Sequence, residues 1–229
     1  MIRPFLLCLA LGVLAAPPAR ADTTAVYRAA DAGVTMTFEI AGADCRVTIS
    51  GQPGYTLYRG GEAYVVRTTP KGVVVDRAAD LAAVMVERGD SPAVSLGKEL
   101  AEATPGPIVR RGTATIHGRT GLAYYARLES GDYMPRPFWV TSSDPELAEI
   151  GPAVARHFAL GLGMAAAVSG AKPDFPRDLQ ALLATGTPLV FAIFIELDTV
   201  SRAPIPAARF ALPAPPETRN QLRARLAAG

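Results

Sequence analysis

Two histidines and two cysteines carry most of the chemical reach of this 229-residue chain, and their spacing limits what they can do. Neither His117 nor His157 has a histidine or carboxylate four residues along, so a zinc site of the HExxH type is absent. His117 shares the polar side of a strand pattern with Thr113 and Thr115, which places it in solvent or, alternatively, makes it a general base. His157 follows Arg156 at the polar entry of an apolar helix, where a capping or boundary role competes with a catalytic one. No G-x-S-x-G nucleophile elbow occurs. Leu160-Gly161-Leu162-Gly163 lacks the third glycine and the preceding strand of a phosphate loop. Two carboxylate pairs, Glu146 with Glu149 and Glu196 with Asp198, are candidates for acid/base work. The second pair shares one strand face, whereas glycosidase carboxylates face each other across a cleft. Arg110-Arg111 is too short a run for an anion site. Nothing converges, so the chain is expected to be no enzyme and to hold no cofactor and no metal.

Cys45 alternates with Val47 and Ile49, while Asp44, Arg46, Thr48 and Ser50 take the other face, so its thiol is expected to point inward. It reads as an inert buried thiol, against the alternatives of a nucleophile or an intermolecular bridge. Cys8 sits in a segment that should not persist. Arg3, the apolar stretch Pro4 to Ala16 and the small-x-small pattern Ala19-Arg20-Ala21 make an export signal, with cleavage expected after Ala21 and a periplasmic mature chain from residue 22. The apolar stretch is shorter than the ~20 residues a bilayer requires, and Pro17-Pro18 ends it. Leu7 before Cys8 is not small, which argues against lipidation. Cleavage would remove two of the 23 basic residues and none of the 21 acidic ones, leaving a formally neutral chain. No nucleic acid partner is expected of such a chain, nor a membrane span once the signal is gone.

The elements that must position these residues read clearly in the first half. Val34, Met36, Phe38 and Ile40 alternate with polar residues, the period of a sheet with one buried face. Hairpin punctuation falls at Ala41-Gly42, Gly51-Gln52-Pro53-Gly54, Gly60-Gly61 and Pro70-Lys71-Gly72, predicting an antiparallel meander from Thr24 to Asp76. Asp76 can cap a helix bearing Leu81, Val84 and Met85 that Gly89 stops. A loop follows from Asp90 to Pro107, with one helical turn at Lys98 to Ala103. Strands are expected over Val109 to His117, Leu122 to Leu128 and Pro137 to Thr141, the first two hinged at Gly118 to Gly121. Ser143-Asp144-Pro145-Glu146 offers a hydroxyl or carboxylate cap, with Ser143 and Glu146 at capping-box spacing, and starts a helical region reaching about Val168. After a loop at Ala171 to Pro173 and a short helix near Arg177 to Ala184, Thr187 to Val200 reads as one strand with Leu189, Phe191, Ile193, Ile195 and Leu197 on a common face. A last strand near Arg209 to Leu212 and a helix over Pro216 to Leu226 close the chain.

Apolar material exceeds what one small core needs. Phe158 to Val168 is apolar on every side, as a surface helix is not, so protein, a partner or an apolar ligand must cover it. Gly161 and Gly163 would permit close packing or let this helix shift as a lid. The apolar binding residues predicted here are Trp139, Phe158, Leu160, Leu162, Met164, Phe191 and Phe194. The alternative is that the same residues simply fill the fold. Tyr55, Tyr58, Tyr64, Tyr124, Tyr125 and Tyr133 fall mostly in strands, where packing and binding roles look alike.

The stretches YTLYRGGEAYVV, WVTSSDPELAEIGP, GTPLVFAIFIELDTV and PIPAARFALP, in that order, resemble a family of exported bacterial proteins of unknown function. The fold of that family is similar to the lipoprotein carriers LolA and LolB. The resemblance covers most of residues 22–229 and implies a single α+β domain: a strongly curved, mostly antiparallel open sheet, or half-barrel, with helices across its concave face. In LolA that concavity holds lipoprotein acyl chains, and no functional residue transfers specifically to this sequence. The expected function is a non-catalytic periplasmic carrier or sensor of an apolar ligand, a lipid or acyl chain. The alternative is an envelope protein-interaction or scaffold module whose groove is self-filled.

Overall fold

Period-two alternation and glycine-marked turns fold the first third of the chain into six consecutive hairpin-linked strands. The computed structural model describes residues 22–29, 33–88, 107–169, 181–191 and 195–228, with no side-chain description for Leu162 or for residues 165–169. The expected signal segment, the turn at Lys98 to Ala103, the loop at Ala171 to Pro173 and Phe194 lie outside these. The strands are β1 (Thr23–Ala29), β2 (Val34–Ala41), β3 (Asp44–Ile49), β4 (Gly54–Arg59), β5 (Glu62–Thr69) and β6 (Gly72–Arg77), followed by helix α1 (Ala78–Arg88). Then come β7 (Ile108–Ile116), β8 (Arg119–Ala126), β9 (Trp139–Ser142), α2 (Ile150–Ser169), β10 (Thr187–Phe191), β11 (Ile195–Ser201) and α3 (Arg219–Ala227). No helix among the described residues is long and apolar enough to cross a membrane.

All the strands form one open antiparallel sheet in the order β6-β5-β4-β3-β2-β1-β11-β10-β9-β8-β7. It is two meanders, β1 to β6 and β7 to β11, joined where the first strand meets the last: Tyr27 lies opposite Leu197 and Ala29 opposite Ile195. The free edges are therefore β6 and β7. Helix α2 lies on the face that carries Tyr27, Phe38, Val47 and Phe191, and with them builds the main core.

Several expectations need correction. Thr187 to Val200 is two strands, with Phe191 paired to Ile195 and Val190 to Glu196. The turn carries no glycine or proline, so composition could not announce it. Asp76 is not a helix cap but the penultimate residue of β6, fully buried against Arg67 and Arg225. The hinge between β7 and β8 is a two-residue turn, His117-Gly118, with φ of +47° and +81°. This pair of left-handed residues suits a tight hairpin and moves His117 off the strand face to its tip. Asp144, rather than Ser143, caps the helical entry: its Oδ1 accepts from the Glu146 amide at 2.9 Å over a short 3-10 turn, Pro145–Leu147. Arg209 to Leu212 is not a strand; Ala207–Phe210 forms another such turn.

That last turn belongs to a strap. Phe38 and Ile40 face the core, so Glu39 points to the opposite side. There it takes both Arg209 nitrogens, at 2.6 and 2.9 Å, while Arg59 donates to the Phe210 carbonyl at 3.0 Å. Leu57 and Phe210 are buried on this side, apart from the main core. At the β6 edge the Glu217 amide donates to the Val75 carbonyl at 2.8 Å. Thr218 and Gln221 then form a capping box that starts α3. Leu222 and Leu226 pack with Leu81, Val84 and Met85 of α1, and Arg219 and Arg223 pair with Asp80 and Glu87. The segment thus crosses the outer face, rounds one edge and covers part of it, a protected ending for an otherwise open edge.

Gly121 marks the closest backbone approach between β8 and β9. A Cβ built there would lie 2.4 Å from the Thr141 carbonyl oxygen and 2.9 Å from a Val140 methyl. Gly121→Ala is expected to cost about 2 kcal/mol, at the middle of the range for overpacking, because a backbone atom cannot turn aside as a side chain can. A urea midpoint equal to that of the parent chain would show that the strands part without strain.

Candidate functional site

Alternation along four strands, β1, β2, β9 and β10, delivers a line of aromatics to the face under α2. Tyr27 meets Phe38 edge-on, with ring centroids 5.7 Å apart, and Phe191 at 5.3 Å. Phe191 in turn meets Trp139 at 6.0 Å and, nearly perpendicular, Phe158 of α2 at 4.8 Å. Trp139, Phe191, Tyr27 and Phe38 are all at most 2% exposed. The Tyr27 hydroxyl donates to the Pro188 carbonyl at 2.8 Å, and burial pushes its pKa far up, so it stays protonated. The Trp139 indole N–H is buried without an acceptor among the described residues.

His157 is a second feature of this face and corrects the boundary role expected of it. Its ring is mostly buried, stands edge-on to Phe38 and Tyr58, and its Nδ1 lies 3.0 Å from the Tyr58 hydroxyl. Burial lowers its pKa to about 4, so the ring is neutral at pH 7. Burial likewise raises the Tyr58 hydroxyl, which remains protonated. Arg156 lies over the Tyr58 ring at 4.4 Å and donates to the Ala43 carbonyl at 3.0 Å. Cys45 is fully buried nearby and its thiol is pushed up to about 12, chiefly by burial, in keeping with the inert reading.

The predicted apolar residues divide between two places. Trp139, Phe158 and Phe191 come together in the packed aromatic line. Leu160 and Met164 instead line an open pocket of about 340 Å³ between α1 and α2, walled by Ala63, Ala79, Ala82 and Gly163. A Cβ at Gly161 or Gly163 would meet nothing within 4 Å, so among the described residues these glycines face space rather than close packing. The Leu162 side chain and Phe194 lie outside the description. Tyr27 and the alanine wall escaped the sequence reading, which put Phe38 on a buried strand face without assigning it to the site. Tyr27 was discernible as the middle of Ala25, Tyr27 and Ala29, a period-two set, but alanines carry no such signal.

Three of the four candidate carboxylates, Glu149, Glu196 and Asp198, are engaged with cations. Glu149 bonds Arg202 and Thr23, and Arg202 also reaches the Glu146 carbonyl. Glu196 pairs with Arg136 at 2.7 Å and with His117 at 3.2 Å, and Asp198 with Arg28 at 2.9 Å. These contacts fasten strands and the β7–β8 hairpin tip to β11. Among the tyrosines, Tyr58 joins the core, whereas Tyr55 and Tyr133 lie under Arg46 and Arg111. Compared with known proteins, the chain gives no significant match to a family model, a curated protein or a solved structure.

Proposed function

We propose that this chain is a non-catalytic periplasmic carrier or sensor of an apolar ligand, a lipid or lipoprotein acyl chain, built on a LolA-like half-barrel. The observation that carries the reading is the α1–α2 pocket. Its size, about 340 Å³, falls within the range of small-molecule sites, and Leu160, Met164 and seven alanine or glycine residues give it a mostly apolar wall, with Glu62 as its one charged member among the described residues. Each buried CH₂ of a tail would add about 0.8 kcal/mol without any directed polar contact. The half-barrel is supported by reach. β4 and β10 are five strand spacings apart, about 24 Å on a flat sheet, yet the adjacent residues His157 and Phe158 touch Tyr58 and Phe191. A strongly curved sheet with α2 in its concavity accommodates both contacts.

Gentle purification followed by native mass spectrometry tests the proposal. Lipid-sized additions, lost on denaturation, are expected on the parent chain and absent from Leu160→Glu, with both circular dichroism spectra alike. Equal retention by the two chains would remove the pocket from consideration. A second reading has its own observation. Trp139, Phe191 and Tyr27 already fill the centre of the groove, which favours an envelope interaction module if the parent emerges bare from lipid-containing preparations.

A further inference from the structure

At the opposite end of the β4–β5 hairpin from the α1–α2 pocket lies a separate cavity of about 220 Å³. Val47, Ile49, Thr56 and Val65 line it, together with three nitrogen-bearing side chains, Gln52, Arg67 and His157. The volume equals about seven waters of liquid, or a short alkyl chain with one polar end.

The protonation of His157 follows from its neighbours. The Tyr58 hydroxyl has one proton to donate and, among the described residues, the only acceptor within reach is His157 Nδ1, 3.0 Å away. A neutral imidazole that accepts at Nδ1 carries its proton on Nε2. Nε2–H has no acceptor among the described residues. Arg67 spends Nη2 on Asp76 and has Nε buried without a partner among the described residues, so Nη1 is the guanidinium nitrogen it can offer to a ligand. His157 and Arg67 therefore both bring N–H donors to this cavity, and a carboxylate is a ligand group that only accepts. The aliphatic walls select the rest of the molecule.

We infer that this cavity binds a medium-chain aliphatic carboxylate, its head on His157 Nε2–H and the Arg67 guanidinium and its chain against Val47, Ile49 and Val65. The site is distinct from the α1–α2 pocket and does not depend on that pocket's ligand.

Titration of the full chain with sodium octanoate, followed by calorimetry and by the ¹⁵N resonances of the imidazoles, tests the inference. Saturable binding is expected, with the His157 Nε2 resonance moving and the His117 resonances still. His157→Phe keeps a ring of similar shape but removes the donor, and should weaken octanoate by about tenfold or more. Ile49→Trp fills the cavity without touching His157 and should abolish binding, which keeps the test decisive if His157→Phe folds poorly. 1-Octanol, matched in chain but not acceptor-only, should bind at least tenfold more weakly than octanoate. Octanoate binding that is non-saturable, or unchanged in Ile49→Trp, overturns the site, and equal affinity for octanol overturns the role of its head group. Lipid retention in the Leu160→Glu comparison reports on the other pocket, so either proposal can fail alone.

Discussion

Asp76→Ala is expected to lower the unfolding free energy by about 3 kcal/mol, the low end of the cost of breaking a buried ion pair. Asp76 is fully buried and accepts from two guanidiniums, that of Arg67 and, at 2.7 Å, that of Arg225. Removing it leaves both cations beside an apolar hole, and their partial exposure, 37% and 26% at the side chain, keeps the cost at that low end. Arg225→Ala should cost less, about 1–2 kcal/mol, because Arg67 still satisfies the carboxylate. For a chain of 229 residues, 3 kcal/mol corresponds to a fall in Tm of about 6–12 °C. The melt should also release α3, since Arg225 is that helix's hold on β6. An Asp76→Ala chain melting within about 2 °C of the parent would mean that the strap is held by its other contacts.

The second large effect is a loss of stability in acid that is specific to His157. An exposed histidine titrates near 6.5, and burial holds this one at about 4. Between those values the unfolded chain binds a proton that the folded chain refuses. Stability is therefore complete above about pH 6.5 and falls as pH drops, the loss being full once pH passes below 4. From pH 7 to pH 4.5 the contribution is at most about 2 kcal/mol, because the ring also borders the cavity beside Ile49 and is not sealed from water. Urea midpoints at the two pH values should diverge more for the parent than for His157→Phe. The variant carries a separate, pH-independent cost of about 1–2 kcal/mol, because the Tyr58 hydroxyl loses its acceptor. Parallel pH dependence in the two chains would mean that the imidazole is far more hydrated than its contacts indicate.

Local signals and long-range ones were unequally legible in the sequence. Turns at Gly42, Gly60-Gly61 and Gly72 announce themselves because each carries a left-handed glycine, and the strands between them alternate cleanly. The inward thiol of Cys45 followed from the same alternation. The hairpin between Phe191 and Ile195 did not, since its flanks are continuous β-formers and only the pairing with β9 and β1 divides them. Nothing local marks Glu39 and Arg59 in the sequence; their role depends on a proline-rich segment about 150 to 170 positions away that has no periodicity. For the candidate site, apolar identity grouped Trp139, Phe158 and Phe191 as binding residues, and the fold brings these three rings into contact. Identity alone could not separate them from Leu160 and Met164, because the division depends on where α1 crosses α2. His157 looked like a boundary residue because its partner, Tyr58, is 99 positions away.

The seam between β1 and β11 sets an order of events in folding. The first of the described strands is completed by the last, across some 170 positions, as the Arg28–Asp198 pair illustrates. Hairpins within each meander close short loops and can form early, whereas joining the halves carries a closure entropy of about 4–5 kcal/mol, (3/2)RT ln n for such a span. Until β11 docks, one edge of β1 presents an unpaired row of amides and carbonyls, so a half-folded chain is a template for aberrant strand addition, and joining the halves removes it.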